Sequence, residues 1–420
     1  MLNLLDVGCQ PCVNPDIAAA RAVRLCGEDH AGNASAPFRQ TPVGWIAEFA
    51  VWIRIGTAWL RQIAPRQTKR VDVTQTFPHL PISRLSSGLF RAAGATTDAA
   101  DLAAEMLVDS SLMGHDSHGV LRVPEYLDFI DDGSLCPTAD VQVDVTGPTT
   151  AVVDCGHNFG AVGGVRAIQV AIDMAQQQQT ACVITRRCNH VGRLGAYVQM
   201  AADAGMVAIA TCNSPIYGHF VLPWGGREGR LATNPIAYAI PTSGFPIVAD
   251  FSTSVAPEGK IRFLHNQQQP VPDGWIVDAA GQPTNDASQF YGPPRGGILP
   301  FGGMVGYKGF ALSLLVEVFG SALAGVASTD TEVFGNGVCF LVFDPAAFGS
   351  IERFRGLVSD MVAYMKSSAP APGVDEVLLP GELEFRTRTE RLANGIPIDD
   401  STWTEIQRRA EVAGVPLETA

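Results

Sequence analysis

The segment Val152-Val153-Asp154-Cys155-Gly156-His157-Asn158-Phe159-Gly160-Ala161-Val162-Gly163-Gly164 reads as a strand, a glycine turn and the start of a helix. Many α/β proteins hold dinucleotides at such a junction. Its glycines, however, are spaced G-x-x-x-G-x-x-G. The dinucleotide fingerprint requires G-x-G-x-x-G, because its second glycine lets the backbone approach the pyrophosphate. No well-placed acidic residue ends a strand at the distance expected for the ribose either. A chain with this segment is expected to be α/β, and any dinucleotide it uses must be held without a standard Rossmann turn.

The length of 420 residues, with 46% hydrophobic and 17% charged content, suits two or three domains with sizeable cores. Twenty-nine basic against 42 acidic residues leave a net charge of −13, which repels nucleic acid and offers anionic lipid no general attraction. A small-molecule enzyme with no nucleic-acid partner fits this balance. Nine scattered cysteines do not make a secreted disulfide framework, and the start MLNLLDVG lacks the basic and apolar regions of a signal peptide, so a cytoplasmic location is expected. Phe310–Ala327 carries one charge, Glu317, in eighteen residues, the lower limit for a spanning helix. Ser313, Gly320, Ser321 and Gly325 and the lack of a flanking basic cluster favour a buried core helix, with no transmembrane segment.

The first eighty residues differ from the rest, with eight basic and six acidic residues against a remainder of −15. Residues 1–80 are therefore set apart as an extension of unknown role. Trp45, Trp52 and Trp59 share one helical stripe, which suits docking on the protein's own body or another subunit, or resting on a membrane. Cys9, Cys12, Cys26 and His30 have the spacing of a zinc site, but few residues between them could fold around a metal, and none is expected. From residue 81 the pattern is ordered α/β: a capped helix from Thr97, a helix over Leu121–Asp131 stopped by Gly133, helices at Gly163–Gln177 and Gly195–Ala204, and strands at Thr150–Asp154, Ala181–Thr185, Val207–Thr211 and Pro246–Phe251.

The densest polar constellation is Gly114-His115-Asp116-Ser117-His118-Gly119-Val120-Leu121-Arg122-Val123-Pro124-Glu125-Tyr126. In a helix, His118, Arg122 and Tyr126 at i, i+4 and i+8 share one side, bringing together a proton carrier, a guanidinium fork for a carboxylate and a phenol. A second constellation, Cys188-Asn189-His190-Val191-Gly192-Arg193, lies between a strand and a helix, where α/β proteins place functional loops. Polar turns at Thr211–Pro215 and Ala232–Pro235 follow similar runs. Asp250-Phe251-Ser252-Thr253-Ser254 sets Ser252 and Ser254 on one side if extended. Lys308, one of four lysines against 25 arginines, completes a set suited to phosphate or ribose oxygens.

From about Pro81 onward this set resembles the malate/L-lactate dehydrogenase family that lacks a Rossmann fold, a group that includes ureidoglycolate and sulfolactate dehydrogenases, diketogulonate reductase and piperideine-2-carboxylate reductase. The resemblance is carried by Ser117-His118-Gly119 with Arg122 and Tyr126, Asn189-His190 with Gly192, Asn213-Ser214, Pro223-Trp224-Gly225-Gly226, Thr233-Asn234-Pro235, Asp250 through Ser254, Gly259-Lys260, Lys308-Gly309 and Leu379-Pro380-Gly381-Glu382. It implies a non-Rossmann α/β fold: a largely antiparallel-sheet cofactor domain (151–304) inserted into a helical substrate and dimerisation domain (81–150 and 305–420). It also implies an NAD- or NADP-dependent oxidoreductase acting on a small 2-hydroxy or 2-oxo acid, assembled as a homodimer. His118 would exchange the proton, Arg122 anchor the substrate carboxylate, and His190 lie near the reacting carbon, with Tyr126, Thr233 and Asn234 lining the substrate. Asn213, Ser214, Asp250, Ser252, Thr253, Ser254, Tyr307, Lys308, Gly381 and Glu382 would hold the cofactor. The alternatives are a cyclic-imine reductase that keeps the carboxylate anchor, and a catalytically silent scaffold working through a metal- or membrane-binding extension.

Overall fold

The computed structural model describes residues 75–329 and 335–417. The cysteine–histidine cluster and the tryptophan stripe of the extension lie outside the described residues. Strand β1 (Gln75–Phe77) leads into α1 (His79–Ala92) and α2 (Thr97–Leu112). The Thr96 hydroxyl accepts the Ala99 amide at 3.3 Å, so the cap is one residue earlier than expected; it satisfies one of the amides a helix start leaves without an intrahelical partner. The expected helix over Leu121–Asp131 is shorter: α3 spans Val123–Asp131, preceded by two 3₁₀ turns at Asp116–His118 and Val120–Arg122. Gly119, between those turns, has no room for a side chain, since a Cβ would lie 2.0 Å from the Ser111 hydroxyl. Gly133 follows α3 at φ +80°, the conformation a stopping glycine supplies.

A mixed α/β region follows in chain order: β2 (Gln142–Gly147), β3 (Thr150–Asp154), α4 (Gly160–Gln178), β4 (Thr180–Arg186), α5 (Gly195–Asp203), β5 (Val207–Cys212), β6 (Ile236–Ile240) and β7 (Ile247–Phe251). A small lobe comes next, with α6 (Glu258–Asn266), β8 (Ile276–Val277), β9 (Pro283–Thr284), α7 (Ala287–Tyr291) and β10 (Gly297–Ile298). The chain closes with α8 (Tyr307–Gly320), β11 (Val338–Phe343), α9 (Ile351–Lys366), α10 (Glu382–Asn394), β12 (Ile396–Ile398) and α11 (Asp400–Ala413). Seven strands form one sheet in the order β2-β3-β4-β11-β5-β6-β7. The β3–β4 pair, joined by the α4 crossover, is parallel and every other pair in this sheet is antiparallel. The middle strand, β11, comes from the stretch 305–420 that sequence assigns to the helical part, so the two parts interlock.

Three apolar clusters hold these layers. Ala167, Ile168, Ala171 and Ala175 of α4 and Tyr197, Val198 and Ala201 of α5 share a core with Val153, Val183, Ala208, Ala210 and Phe340 of the sheet. Leu89 and Phe90 of α1, Ala103 and Leu107 of α2, Val123 and Tyr126 of α3, and Ile396 and Ile406 form a second. Val221, Ile261, Ile276, Phe290 and Ile298 form the third, the core of the small lobe. Burying one large apolar side chain contributes roughly 1.5–3 kcal/mol, so the second cluster gives the Tyr126 ring a firm seat.

The expectation of a buried core helix at Phe310–Ala327 is not met. Tyr307–Ala324 is long and apolar enough to cross a membrane by length and composition, yet 39% of it is buried against the protein. Gly309, Ser313, Val316, Glu317 and Gly320 of α8 face inward, while Leu314, Leu315, Val318 and Leu323 are exposed. A Cβ on Gly309 would come 2.3 Å from the Phe301 carbonyl, and one on Gly320 would come 2.5 Å from the Asn213 side chain. The small face is the packed one because it lets the helix lie directly on its neighbours' backbones.

Candidate active site

The 3₁₀ turns at 116–122 replace the single helical side expected for His118, Arg122 and Tyr126, yet these residues still converge with His190. The His118 and His190 rings stack with centroids 5.4 Å apart and planes inclined by 19°. Ser117 Oγ lies 2.9 Å from His118 Nδ1, leaving Nε2 as the nitrogen without a partner among the described residues. On His190 the engaged nitrogen is Nδ1, 2.8 Å from the Tyr126 hydroxyl. Arg122 Nε donates to the Ser117 carbonyl at 2.7 Å and Nη1 to Glu125, which folds the guanidinium back across the turn that carries His118.

Electrostatics keep both rings neutral. Desolvation in the cleft, then the nearby Arg122 charge, then His115 push His118 down to about 3. Burial, followed by Arg122 and His118, holds His190 well below the usual imidazole range. Burial raises the Tyr126 phenol, so it stays protonated. The cluster therefore offers two neutral imidazoles, a phenol and one guanidinium.

The glycine segment supports this cluster by packing. A Cβ on Gly160 would lie 2.2 Å from the His190 carbonyl oxygen and 2.4 Å from that of Asn189. One on Gly163 would strike Cys155 Sγ at 2.3 Å, and one on Gly164 the Tyr197 ring at 2.6 Å. The start of α4 is thereby pressed against the loop that carries His190. Asn189 Nδ2 donates to the carbonyls of His157, Ser134 and Asn158 at 2.7, 3.2 and 3.3 Å, so this residue fixes the loop rather than facing the cleft. Asn336, which sequence reasoning missed, accepts from the Val191 amide at 3.1 Å and donates to the Asn213 carbonyl at 2.9 Å.

The expected cofactor and substrate residues divide into several groups. Asn213 and Asn234 meet at Glu317, whose Oε1 accepts Asn213 Nδ2 at 3.1 Å and whose Oε2 accepts Asn234 Nδ2 at 2.9 Å. Asn213 Oδ1 in turn accepts the Gly337 amide at 2.9 Å, while Asn234 Oδ1 is buried without a partner among the described residues. Thr253 donates to the carbonyls of Thr233 and Asn234, at 3.2 and 2.9 Å, tying both strand ends together. Ser252 and Ser254 do face one another, their hydroxyls 3.2 Å apart, and Ser254 also donates to the Ala256 carbonyl. Glu317 was visible in sequence as the single charge in an apolar stretch, but its partners were not.

Asp250 accepts the Gly195 amide at 2.7 Å, at the start of α5, and burial raises its carboxyl. Next to it Arg193 is buried and paired with Asp109 at 2.8 Å. Gly381, at φ +92°, places its Cα against Val248, where a Cβ would lie 3.0 Å from the carbonyl oxygen; Glu382 is engaged by Lys366 at 2.6 Å. Tyr307 and Lys308, at the first turn of α8, are exposed, with Tyr307 edge-on to Trp224 at 6.4 Å. Ser214, next to the Asn213 junction, is half-buried. The exposed lysine and the unpartnered Asn234 acceptor fit a phosphate-bearing ligand with an amide group, whereas Asn213, Asp250, Ser252, Thr253 and Ser254 are already committed to the protein's own hydrogen bonds.

Comparison with known proteins extends across this whole framework. The malate/L-lactate dehydrogenase family matches residues 80–407. The malate dehydrogenase of Pyrococcus abyssi is 33% identical over 357 residues, covering 82% of this chain and 97% of that protein. The L-lactate dehydrogenase of Cupriavidus necator is 33% identical over 344 residues, covering 80% and 97%. The solved structure of delta1-piperideine-2-carboxylate reductase from Pseudomonas syringae pvar. tomato superposes with a TM-score of 0.70 at 28% identity, covering 80% of this chain and 100% of that one. With the match spanning the sheet, the stacked histidines and the Glu317 junction alike, the chain belongs to the malate/L-lactate dehydrogenase family.

Proposed function

We propose that the protein is a cytoplasmic NAD- or NADP-dependent oxidoreductase that interconverts small 2-hydroxy acids and 2-oxo acids. The observation that carries this reading is the stacked His118–His190 pair beside Arg122. A bound nicotinamide would accept or supply the hydride; Ser214, Asn234, Tyr307 and Lys308 are the groups that would hold it, with Asn213, Asp250, Ser252, Thr253, Ser254, Gly381 and Glu382 shaping the loops behind them. In the oxidising direction His118 Nε2 takes the hydroxyl proton, a role open to it because the imidazole is neutral at physiological pH. In reduction the same atom returns the proton. Arg122 attracts the substrate carboxylate, and Tyr126 orients His190 toward the reacting carbon. Thr233 lies on the turn that Thr253 ties to Asn234 and would line the substrate in this reading.

The exposed apolar side of α8 favours a homodimer, since Leu314, Leu315 and Val318, with Leu323 in the turn that follows, are exposed apolar groups of the kind that mark a protein interface. In that assembly the cofactor part is built on residues 151–304 together with β2 and β11, which complete its sheet from either side of that stretch, and the helices of 81–150 and 305–420 form the other part. The test is a panel of 2-oxo acids and cyclic imine carboxylates with reduced NAD and NADP. Turnover of oxo acids is expected, and absence of turnover across the panel overturns the reading. The piperideine-2-carboxylate reductase neighbour supports the alternative of a C=N substrate, which would show as turnover of the imines alone.

A further inference from the structure

The relatives named above divide between a dicarboxylic and a monocarboxylic hydroxy acid, so kinship leaves the charge of the substrate open. The surroundings of Arg122 bear on it. A guanidinium binds a carboxylate with two parallel hydrogen bonds through either of two forks, Nε with Nη2 or Nη1 with Nη2. Here Nε is held by the Ser117 carbonyl and Nη1 by Glu125, so one nitrogen of each fork is already engaged. Nη2 has no protein partner among the described residues. The other members of the cluster, His118, His190 and Tyr126, are neutral. Glu125 thus balances the one permanent positive charge that faces the stacked histidines.

Of the other basic groups nearby, His115 faces Glu384 at 3.7 Å, and the second is Lys260. It follows Gly259, whose side-chain position would lie 3.9 Å from Ser117 Cβ, but Lys260 itself is exposed, where water screens it. The acidic groups on the same small-lobe helix are accounted for, since Glu258 is paired with Arg262 at 2.8 Å. A ligand with one carboxylate meets Arg122 and competes with Glu125 once. A ligand with two places its second anion in a cluster that already contains a carboxylate and no uncommitted buried cation among the described residues. Like charges brought together at a recognition surface are strongly disfavoured.

We infer that Glu125 is a specificity-determining residue that restricts the site to monoanionic 2-oxo and 2-hydroxy acids. This rests on the proposed function and names the substrate class within it. The experiment compares pyruvate with oxaloacetate, using reduced nicotinamide and wild type, Glu125→Gln and Glu125→Asp. Wild type is expected to favour the monoanion in kcat/KM by about tenfold or more, a ratio equivalent to a modest like-charge contact. Glu125→Gln should shift that ratio toward the dianion by about tenfold, and Glu125→Asp, which keeps the charge, should leave it near wild type. Calorimetric binding of oxamate against oxalate, with the cofactor present, reads the same preference without turnover. If neither oxo acid is turned over yet oxamate binds more tightly than oxalate in wild type and the gap closes in Glu125→Gln, the charge selection stands and the reaction assigned above fails. A wild-type preference for the dianion, a ratio that Glu125→Gln does not move, or binding of neither anion overturns the inference.

Discussion

The Tyr126 hydroxyl lies 2.8 Å from His190 Nδ1 and 3.2 Å from the carbonyl oxygen of the same residue. It has one proton to give. Donated to the carbonyl, it requires the proton on Nδ1 and leaves Nε2 an acceptor; donated to Nδ1, it leaves Nε2 a donor. Tyr126→Phe removes this control while keeping the ring. It should cost about 1 kcal/mol, about fivefold in kcat, with KM for the oxo acid little changed. Steady-state kinetics check this, and an unchanged kcat would show that Tyr126 serves the core alone.

His118→Ala should lower kcat by roughly 10²–10⁴-fold while cofactor affinity, measured by fluorescence titration, stays close to wild type. Ser117 Oγ, 2.9 Å from His118 Nδ1, loses its partner in this variant but lies in an exposed turn. A small change in kcat would move the proton-transfer role to His190.

Acid should destabilise the fold through the same pair. His118 and His190 both titrate lower in the folded protein than in the unfolded chain, His118 at about 3 against a usual 6.5. Below pH 6.5 the unfolded chain therefore binds protons that the native state refuses, and stability falls as pH drops through that window, down to the folded value. Each histidine contributes a slope of roughly 1.4 kcal/mol per pH unit, and the full contribution is present above pH 6.5. Urea denaturation at pH 7, 6 and 5 should show a shallower slope in His118→Gln than in wild type. Equal slopes would mean that the imidazole is protonated in the native state.

Gly160→Ala should destabilise by roughly 1–3 kcal/mol and depress kcat, because the added carbon would overlap the carbonyls of Asn189 and His190. Gly356→Ala is the contrast. Gly356 lies within α9, and nothing stands within 4 Å of its added carbon, so that variant should gain up to about 1 kcal/mol from helix propensity. Thermal melts of both variants decide the matter.

Glu317→Gln would place an amide donor opposite the amide donor of Asn213 or Asn234. Where the new amide faces Asn213, a buried N–H loses its acceptor at a cost of about 1–3 kcal/mol; facing Asn234 costs less, because that Nδ2 also reaches the Ser313 carbonyl and hydroxyl at 3.1 and 3.2 Å. The expected readout is a higher KM for the nicotinamide cofactor with a smaller change in kcat, since the two turns that meet at Glu317 would loosen. Equal effects on both parameters would place Glu317 in general stability instead.

The sequence made the local elements legible wherever periodicity and turn chemistry agreed. The strand at Thr150–Asp154 has the bounds expected, and Gly133 stops α3 as its position implied. Periodicity failed at 116–122, where a helical reading of His118, Arg122 and Tyr126 missed the break at Gly119. That break depends on the distant Ser111 hydroxyl, which accepts the Val120 amide at 3.0 Å. Partners far apart in the chain were equally hidden, as with Glu317 and the two asparagines or Asn336 and the His190 loop. The apolar run of α8 misled because uniform hydrophobicity names no inward face; the small residues Gly309, Ser313 and Gly320 did so only once Phe301 and Asn213 were in place.

The packing of Gly160, Gly163 and Gly164 has a consequence for anyone wishing to retune such a protein. Grafting a conventional dinucleotide turn into 156–164 looks like a local exchange of one nucleotide-binding loop for another. In this fold the graft would replace the bearing surface on which the His190 loop rests, so cofactor redesign has to begin elsewhere; under the function proposed above that place is the first turn of α8, where Lys308 is exposed and its exchange disturbs no packed neighbour.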